Sequence, residues 1–378
     1  MVRAPCPPPP PLLLLLLLPP LLHLSAATTE PCEIDDDDVR CVCNFTDPEP
    51  QWSSALQCLS ALEVEVHGGG RSLQKFVGFA DTNPKEYVDL VRALRLRRLT
   101  VGTAQVPAPL LVAVLRGLGS SRLRQLTLQD LEVTGMMPLP PLEDIGPALS
   151  TLSLHNVSWA TGDAWLAKLQ QWLKPGLREL SVAQAHSLAF RCEDLRTFSS
   201  LRTLDLSDNP ALGERGLAAA LCPNKFPVLQ ELTLRNAGME TPSGVCAALA
   251  AAGVQPQRLD LSHNSLRTTT QGAPACTWPS ALSILNLSFA GLEQVPQGLP
   301  AELSVLDLSC NRLHRVPRPE ELPKVTSLTL DGNPFVEPDA SKYQEVPTSG
   351  VVPASACSAL ALGMSGTVAL LQGAGALA

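Results

Sequence analysis

Leucines recur along this chain with a fixed internal spacing. The pattern LxxLxLxxNxL appears as LRQLTLQDLEV from Leu123, LRTLDLSDNPA from Leu201, LQELTLRNAGM from Leu229 and LSVLDLSCNRL from Leu303. Less regular copies begin at Leu96, Leu149, Leu177, Pro256, Leu282 and Val325, and successive starts lie 27, 26, 28, 24, 28, 27, 26, 21 and 22 residues apart. Within each copy the L-x-L alternation has the period of a strand with one buried face, and the polar residues after it demand a turn. An earlier stretch, LSALEVEV from Leu59, keeps the alternation but lacks the Asn.

This consensus at this period reads as leucine-rich repeats. It predicts an α/β solenoid curved into a horseshoe, with strands on one side and variable segments on the other. One unit cannot bury its own leucines, so neighbours must stack. The asparagines at the ninth position, Asn209, Asn264, Asn311 and Asn333, are then structural, bonding backbone groups of the turn that would otherwise be unpaired. Stacking exposes an apolar face at each end, and solenoids need caps there. Cys32, Cys41, Cys43 and Cys58 precede the first strand, where a disulfide-stapled cap would sit. Cys41 and Cys43 are too close to pair easily with each other, so Cys32 takes one of them and Cys58 the other. The C-x-C spacing in a secreted chain lacks the paired zinc signature, and no metal is expected. Cys192 and Cys222 fall at matching places in consecutive variable segments, as do Cys246 and Cys276, and each pair is placed to staple neighbouring repeats.

Both ends read as addresses. Residues 1–27 run from a single Arg through prolines and leucines to Ser25-Ala26-Ala27, a secretory signal peptide. From Ala359 to Ala378 the chain is almost wholly apolar or small and has no basic flank; with Ser349-Gly350 upstream, this predicts a glycosylphosphatidylinositol signal attached at Ser349. The expected organisation is a signal peptide over 1–27, a cap and degenerate first repeat over 28–95, repeats over 96–346 and a removed anchor signal over 347–378. The protein would sit on the outer leaflet of the plasma membrane and also occur as a secreted soluble form. Loss of Cys6 and Cys357 with the two ends leaves nine of the 11 cysteines. Cys310 is then the one left over, sheltered at a strand end.

Composition narrows the function. Charged residues make up 17% of the 378, and the net charge is -8. That excludes a charge-rich disordered polymer and a general nucleic-acid binder. Eleven cysteines point to an oxidising compartment. No nucleophile elbow, phosphate loop or H-E-x-x-H pair occurs, so no catalysis and no cofactor is expected. N-x-S/T sequons stand at Asn44, Asn156 and Asn286. Outward strand positions are small or polar, among them Thr127, Ser153, Ser181, Asp205, Asp260 and Ser262, with no aromatic anchor for tight binding.

The segment KFVGFADTNPKEYVDLVRALRLRRL differs. Asn83, Pro84 and Glu86 carry the start signals of a helix whose Tyr87, Leu90, Val91 and Leu94 share one face, preceded by Phe76, Val77 and Phe79. This face either packs on the cap or leaves a pocket for acyl chains. In the second case Lys85, Arg92 and Arg95, with Arg97 and Arg98, would meet anionic headgroups at the rim. The acidic run Asp35 to Asp38 reads as a solvated cluster or as a lure for a basic partner that hands over ligand.

Several strings lie outside the repeat consensus: PCEIDDDDVRCVCNFT, LRRLTVGTAQVPAPLL, NVSWATGDAWLAKLQQWLKPGL, LDLSDNPALGERGL, GVCAALAAAGVQP and LNLSFAGLEQVPQGLP. Through them nearly the whole chain resembles the monocyte differentiation antigen family, the lipopolysaccharide co-receptors among leucine-rich-repeat proteins. The resemblance implies a hydrophobic pocket in the amino-terminal region and a homodimer formed through the carboxyl-terminal part. It implies a carrier that takes lipopolysaccharide from a lipopolysaccharide-binding plasma transfer protein, passes it to a Toll-like receptor complex, and handles other bacterial acylated ligands such as lipopeptides. It also implies the pairings Cys32–Cys43, Cys41–Cys58, Cys192–Cys222 and Cys246–Cys276. Departures sit at the ends: a proline run in the signal peptide, and Thr348 where related chains can carry Asn. The competing reading is a leucine-rich-repeat adhesion or matrix-binding glycoprotein that uses the sheet face and has no lipid affinity.

Overall fold

The computed structural model describes residues 30–47, 49, 51–69, 92–138, 146–160, 162–188, 190–267 and 276–335. The expected signal peptide, the expected anchor signal with Ser349, and Cys6 and Cys357 lie outside the described residues. Thirteen strands form one sheet in chain order. They are β1 (Cys32–Ile34), β2 (Arg40–Phe45), β3 (Glu63–Gly68), β4 (Arg98–Pro107), β5 (Gln125–Thr134), β6 (Thr151–Trp159), β7 (Glu179–Ala183), β8 (Thr203–Asp205), β9 (Glu231–Thr233), β10 (Arg258–Asp260), β11 (Ile284–Asn286), β12 (Glu302–Asp307) and β13 (Lys324–Thr329). β1 and β2 are antiparallel. Every later pair is parallel, which requires a crossover after each strand, and the variable segments supply it. The fold is a leucine-rich-repeat solenoid.

The register follows from the leucines. Leu180, Leu204, Leu232, Leu259, Leu285, Leu306 and Leu328 form one row across seven strands. Leu204, Leu232, Leu259, Leu285 and Leu306 are fully buried, and so are their partners two residues on, Leu206, Leu234, Leu261, Leu287 and Leu308. Each such side chain contributes about 1.5–3 kcal/mol, but only because the next repeat covers it.

All four pattern asparagines are buried. The Asn264 carboxamide oxygen accepts from the amides of Ala237 and Met239 in the preceding repeat, and its nitrogen donates to the carbonyls of Leu234, Leu261 and Ser262. Asn311 does the same toward Ala290, Leu292 and Leu287. Repeats that carry Ala237 or Ala290 in place of Asn therefore borrow the side chain of the repeat after them. Two disulfides cross the variable side: Cys192–Cys222 joins the segments after β7 and β8, and Cys246–Cys276 those after β9 and β10.

β4, β5 and β6 run 10, 10 and 9 residues, against 3 in β8 to β11. Thr103, Asp130 and Asn156 take left-handed backbone, with φ of 52°, 50° and 50°. Beyond them pairing resumes, from the row Ala104, Leu131, Val157 to the row Val106, Val133, Trp159. Three adjacent strands thus turn a corner together and lay down a second small parallel patch.

Two expectations are corrected here. Cys310 is disulfide-bonded rather than left over; the count that isolated it had set Cys6 and Cys357 aside. Ser262 does not face outward: it is 3% exposed, because the chain is already turning toward left-handed His263.

Candidate functional site

At the amino-terminal end the hairpin β1–β2 is stapled twice. Cys32 bonds Cys43 opposite it, and Cys41 bonds Cys58 on the 3-10 turn Trp52–Ser60. The sulfurs of Cys43 and Cys58 lie 3.4 Å apart, so the two bridges nest against each other. Sulfurs held in disulfides offer no thiolate to a metal. With Phe45 and Ala61 the four cysteines form an apolar cluster separate from the main core of the repeats.

Between the two clusters lies β3. Its inward residues Val64 and Val66 are only half-buried, as are Val101 on β4 and Leu94 ahead of it. The equivalent inward leucines of the next strands, Leu126, Leu128, Leu152 and Leu154, are 0–2% exposed. The apolar residues at this end are thus less shielded than those of the strands that follow.

Of the predicted pocket residues, Leu94 is described and packs against the main core. Arg92 and Arg95 are exposed beside it. Phe76, Val77, Phe79, Lys85, Tyr87, Leu90 and Val91 lie outside the described residues. The Arg98 guanidinium pairs with Glu63 on the neighbouring strand. Arg40 pairs in the same way with Glu65, which also bonds His67 at 2.7 Å. The Arg40 hydrogen bond holds the Glu65 carboxyl below its usual range against the opposing effect of burial, and His67 adds to the lowering. The charges on this part of the sheet face are thus largely matched within the sheet. In the acidic run, Asp35 turns back to accept from the amides of Val39 and Arg40 at 2.7 and 3.0 Å, while Asp36, Asp37 and Asp38 are exposed.

The sequons differ in setting. Asn44 is exposed, and its carboxamide oxygen accepts from the Thr46 amide. Asn156 donates to Asp130 at 2.7 Å. Asn286 donates to Asp260 at 3.1 Å on the sheet face and accepts from the Ser288 amide. The sheet also carries an aromatic pair that reading the alternation misses. His263 and Phe289, neighbours in the row of left-handed residues, stack with ring centres 4.4 Å apart. Burial, with Arg235 nearby, holds the imidazole below its usual range. Among the described residues no helix is long and apolar enough to cross a membrane.

No family model matches the chain. It is 72% identical over 355 residues to Monocyte differentiation antigen CD14 of Bos taurus, covering 94% of this chain and 95% of the relative. To the Homo sapiens protein of the same name it is 66% identical over 358 residues, covering 94% and 96%. A more distant match is Toll-like receptor 2 of Equus caballus, 31% identical over 166 residues that cover 44% of this chain and 20% of that receptor.

Proposed function

Because the chain belongs to the CD14 family of monocyte differentiation antigens, we propose that it is a non-catalytic co-receptor of innate immunity that carries bacterial lipopolysaccharide. The acyl chains enter the space beneath β3 and β4, closed by Phe76, Val77, Phe79, Tyr87, Leu90, Val91 and Leu94. Lys85, Arg92 and Arg95 meet the anionic headgroup at its rim. The observation that carries this reading is the half-burial of Val64, Val66, Val101 and Leu94 at the junction of two apolar clusters. Each methylene moved out of water contributes about 0.8 kcal/mol. A chain of roughly twelve methylenes gives about 10 kcal/mol gross, comparable with the association cost of about 4–15 kcal/mol, so tight binding needs more than one chain housed.

In this reading a lipopolysaccharide-binding plasma transfer protein loads the pocket and a Toll-like receptor complex unloads it; other acylated bacterial ligands use the same space. The protein acts as a homodimer, held to the outer leaflet by an anchor at Ser349 or shed in soluble form. The test titrates the ectodomain, residues 28–349, with fluorescent lipopolysaccharide monomers and competes them with lipid A or with bare polysaccharide. Displacement by lipid A alone is expected, as is loss of binding in Phe79→Asp or Tyr87→Asp with secretion intact. Folded, monodisperse protein that binds no lipid would sink the reading and leave adhesion through the sheet face.

A further inference from the structure

The corner turned by β4, β5 and β6 carries a shallow, open groove of about 400 Å³. Gln105, Asp130, Glu132, Asn156 and Ser158 line it, while the alternate residues Ala104 and Leu131 point into the core. Gln105 donates to Glu132 at 3.1 Å. The lining is thus rich in acceptors. A neutral ligand with many hydroxyl donors suits it.

One such ligand is attached at its edge. Asn156 heads the sequon Asn-Val-Ser, and both Asn156 and Ser158 line the groove while Val157 is buried between them. An amide nitrogen carries two hydrogens. Asp130 accepts one of them at 2.7 Å, and the other is the one an N-linked sugar replaces. Asp130 therefore fixes the direction in which the sugar leaves the asparagine. We propose that this groove seats the protein's own N-linked glycan. Its first N-acetylglucosamine donates to Glu132 and Gln105. Asn44, the sequon on β2, is exposed and lies outside this groove. The docked sugar would tie the three bent strands together across their corner. The inference rests on Asn156 being glycosylated and is independent of the lipid reading.

Ser158→Ala removes the sequon but keeps Asn156 and its bond to Asp130. In glycosylated, full-length ectodomain, glycopeptide mass spectrometry first establishes that Asn156 is occupied. Amide exchange over residues 103–106 and 130–133 is then compared with that of Ser158→Ala. Loss of one neutral hydrogen bond predicts exchange about five-fold faster there. Thr46→Ala, which removes the Asn44 sequon, leaves those segments unchanged. In a second comparison Glu132→Ala, which keeps the sugar, speeds exchange more in the glycosylated protein than in the Ser158→Ala background. An unoccupied Asn156 overturns attachment and docking together. Full occupancy with unchanged exchange, or equal effects of Glu132→Ala in both backgrounds, overturns docking alone.

Discussion

Replacing Asn264 with Ala should damage two repeats. The side chain is 6% exposed, and it bonds the amides of Ala237 and Met239 and the carbonyls of Leu234, Leu261 and Ser262. The Ser262 carbonyl also accepts from the Asn236 amide. Truncation therefore strands two donors and two acceptors in a buried turn. An unmade buried hydrogen bond costs about 1–3 kcal/mol, so the lower bound for the four is about 4 kcal/mol, in the range reserved for broken buried networks. Repeat arrays need not unfold as one unit, so two readouts are required: the denaturation midpoint by tryptophan fluorescence, and amide exchange at Ala237 and Met239. The midpoint should fall and exchange at both amides should speed up together, although those amides belong to a repeat that was not mutated. A midpoint loss worth under about 1 kcal/mol, with both amides still protected, would refute the shared-asparagine argument.

The Glu214 carboxylate accepts from the amides of Glu240 and Thr241 and from the Thr241 hydroxyl. Burial pushes its pKa up, but these bonds outweigh it and hold the group below the usual range. Stability from a depressed carboxyl is present above the unfolded value near about 4.3 and lost as pH falls through the folded one; protection of the Glu240 and Thr241 amides, exchange taken relative to its intrinsic rate at each pH, should fall on acidification below about pH 4, and Glu214→Gln should flatten that dependence. Replacing both Cys192 and Cys222 with Ser should cost about 2–4 kcal/mol, measured as a lower denaturation midpoint, and an unchanged midpoint would show that the bridge constrains nothing. Gly238 has φ of +70°, and an added Cβ would lie 2.1 Å from the Pro210 carbonyl, so Gly238→Ala should sharply reduce secretion; secretion at the parental level would contradict the geometry.

The leucines made the solenoid legible because one buried row per strand admits one register, and a slip by one residue would turn Leu232 or Leu259 to solvent. Features that join repeats were less visible. Nothing within a single unit tells that Asn264 serves Ala237, since the partner stands 27 residues away. The corner after Thr103, Asp130 and Asn156 was hidden because its one-residue shift of the alternation, from Leu128 to Leu131, falls where the regular repeats carry their turn. Arg98 read as part of a basic run; its actual partner, Glu63, lies 35 residues earlier on the neighbouring strand. The lighter shielding at β3 and β4 does have a sequence signal, valine at positions 64, 66 and 101 where the repeat prefers leucine. The aromatic pair His263 and Phe289 has none in the alternation, because both sit at the left-handed step after the strand.

The asparagine bonds and the disulfides on the variable side pick the same neighbours. β7 and β8 are joined by Asn209 and by Cys192–Cys222, and β9 and β10 by Asn264 and by Cys246–Cys276. Between these couples the side-chain bonds, such as Glu214 to Thr241 and Asn286 to Asp260, are only part-buried. The stack therefore has a mechanical grain. Pulled from its ends, the stretch from β7 to β10 should yield two repeats at a time, each step held at a covalent stop until the bridge is reduced. A duplication or deletion that moved a couple as a whole would leave its inner bonds intact, whereas one that split it would strand a cysteine and an asparagine together.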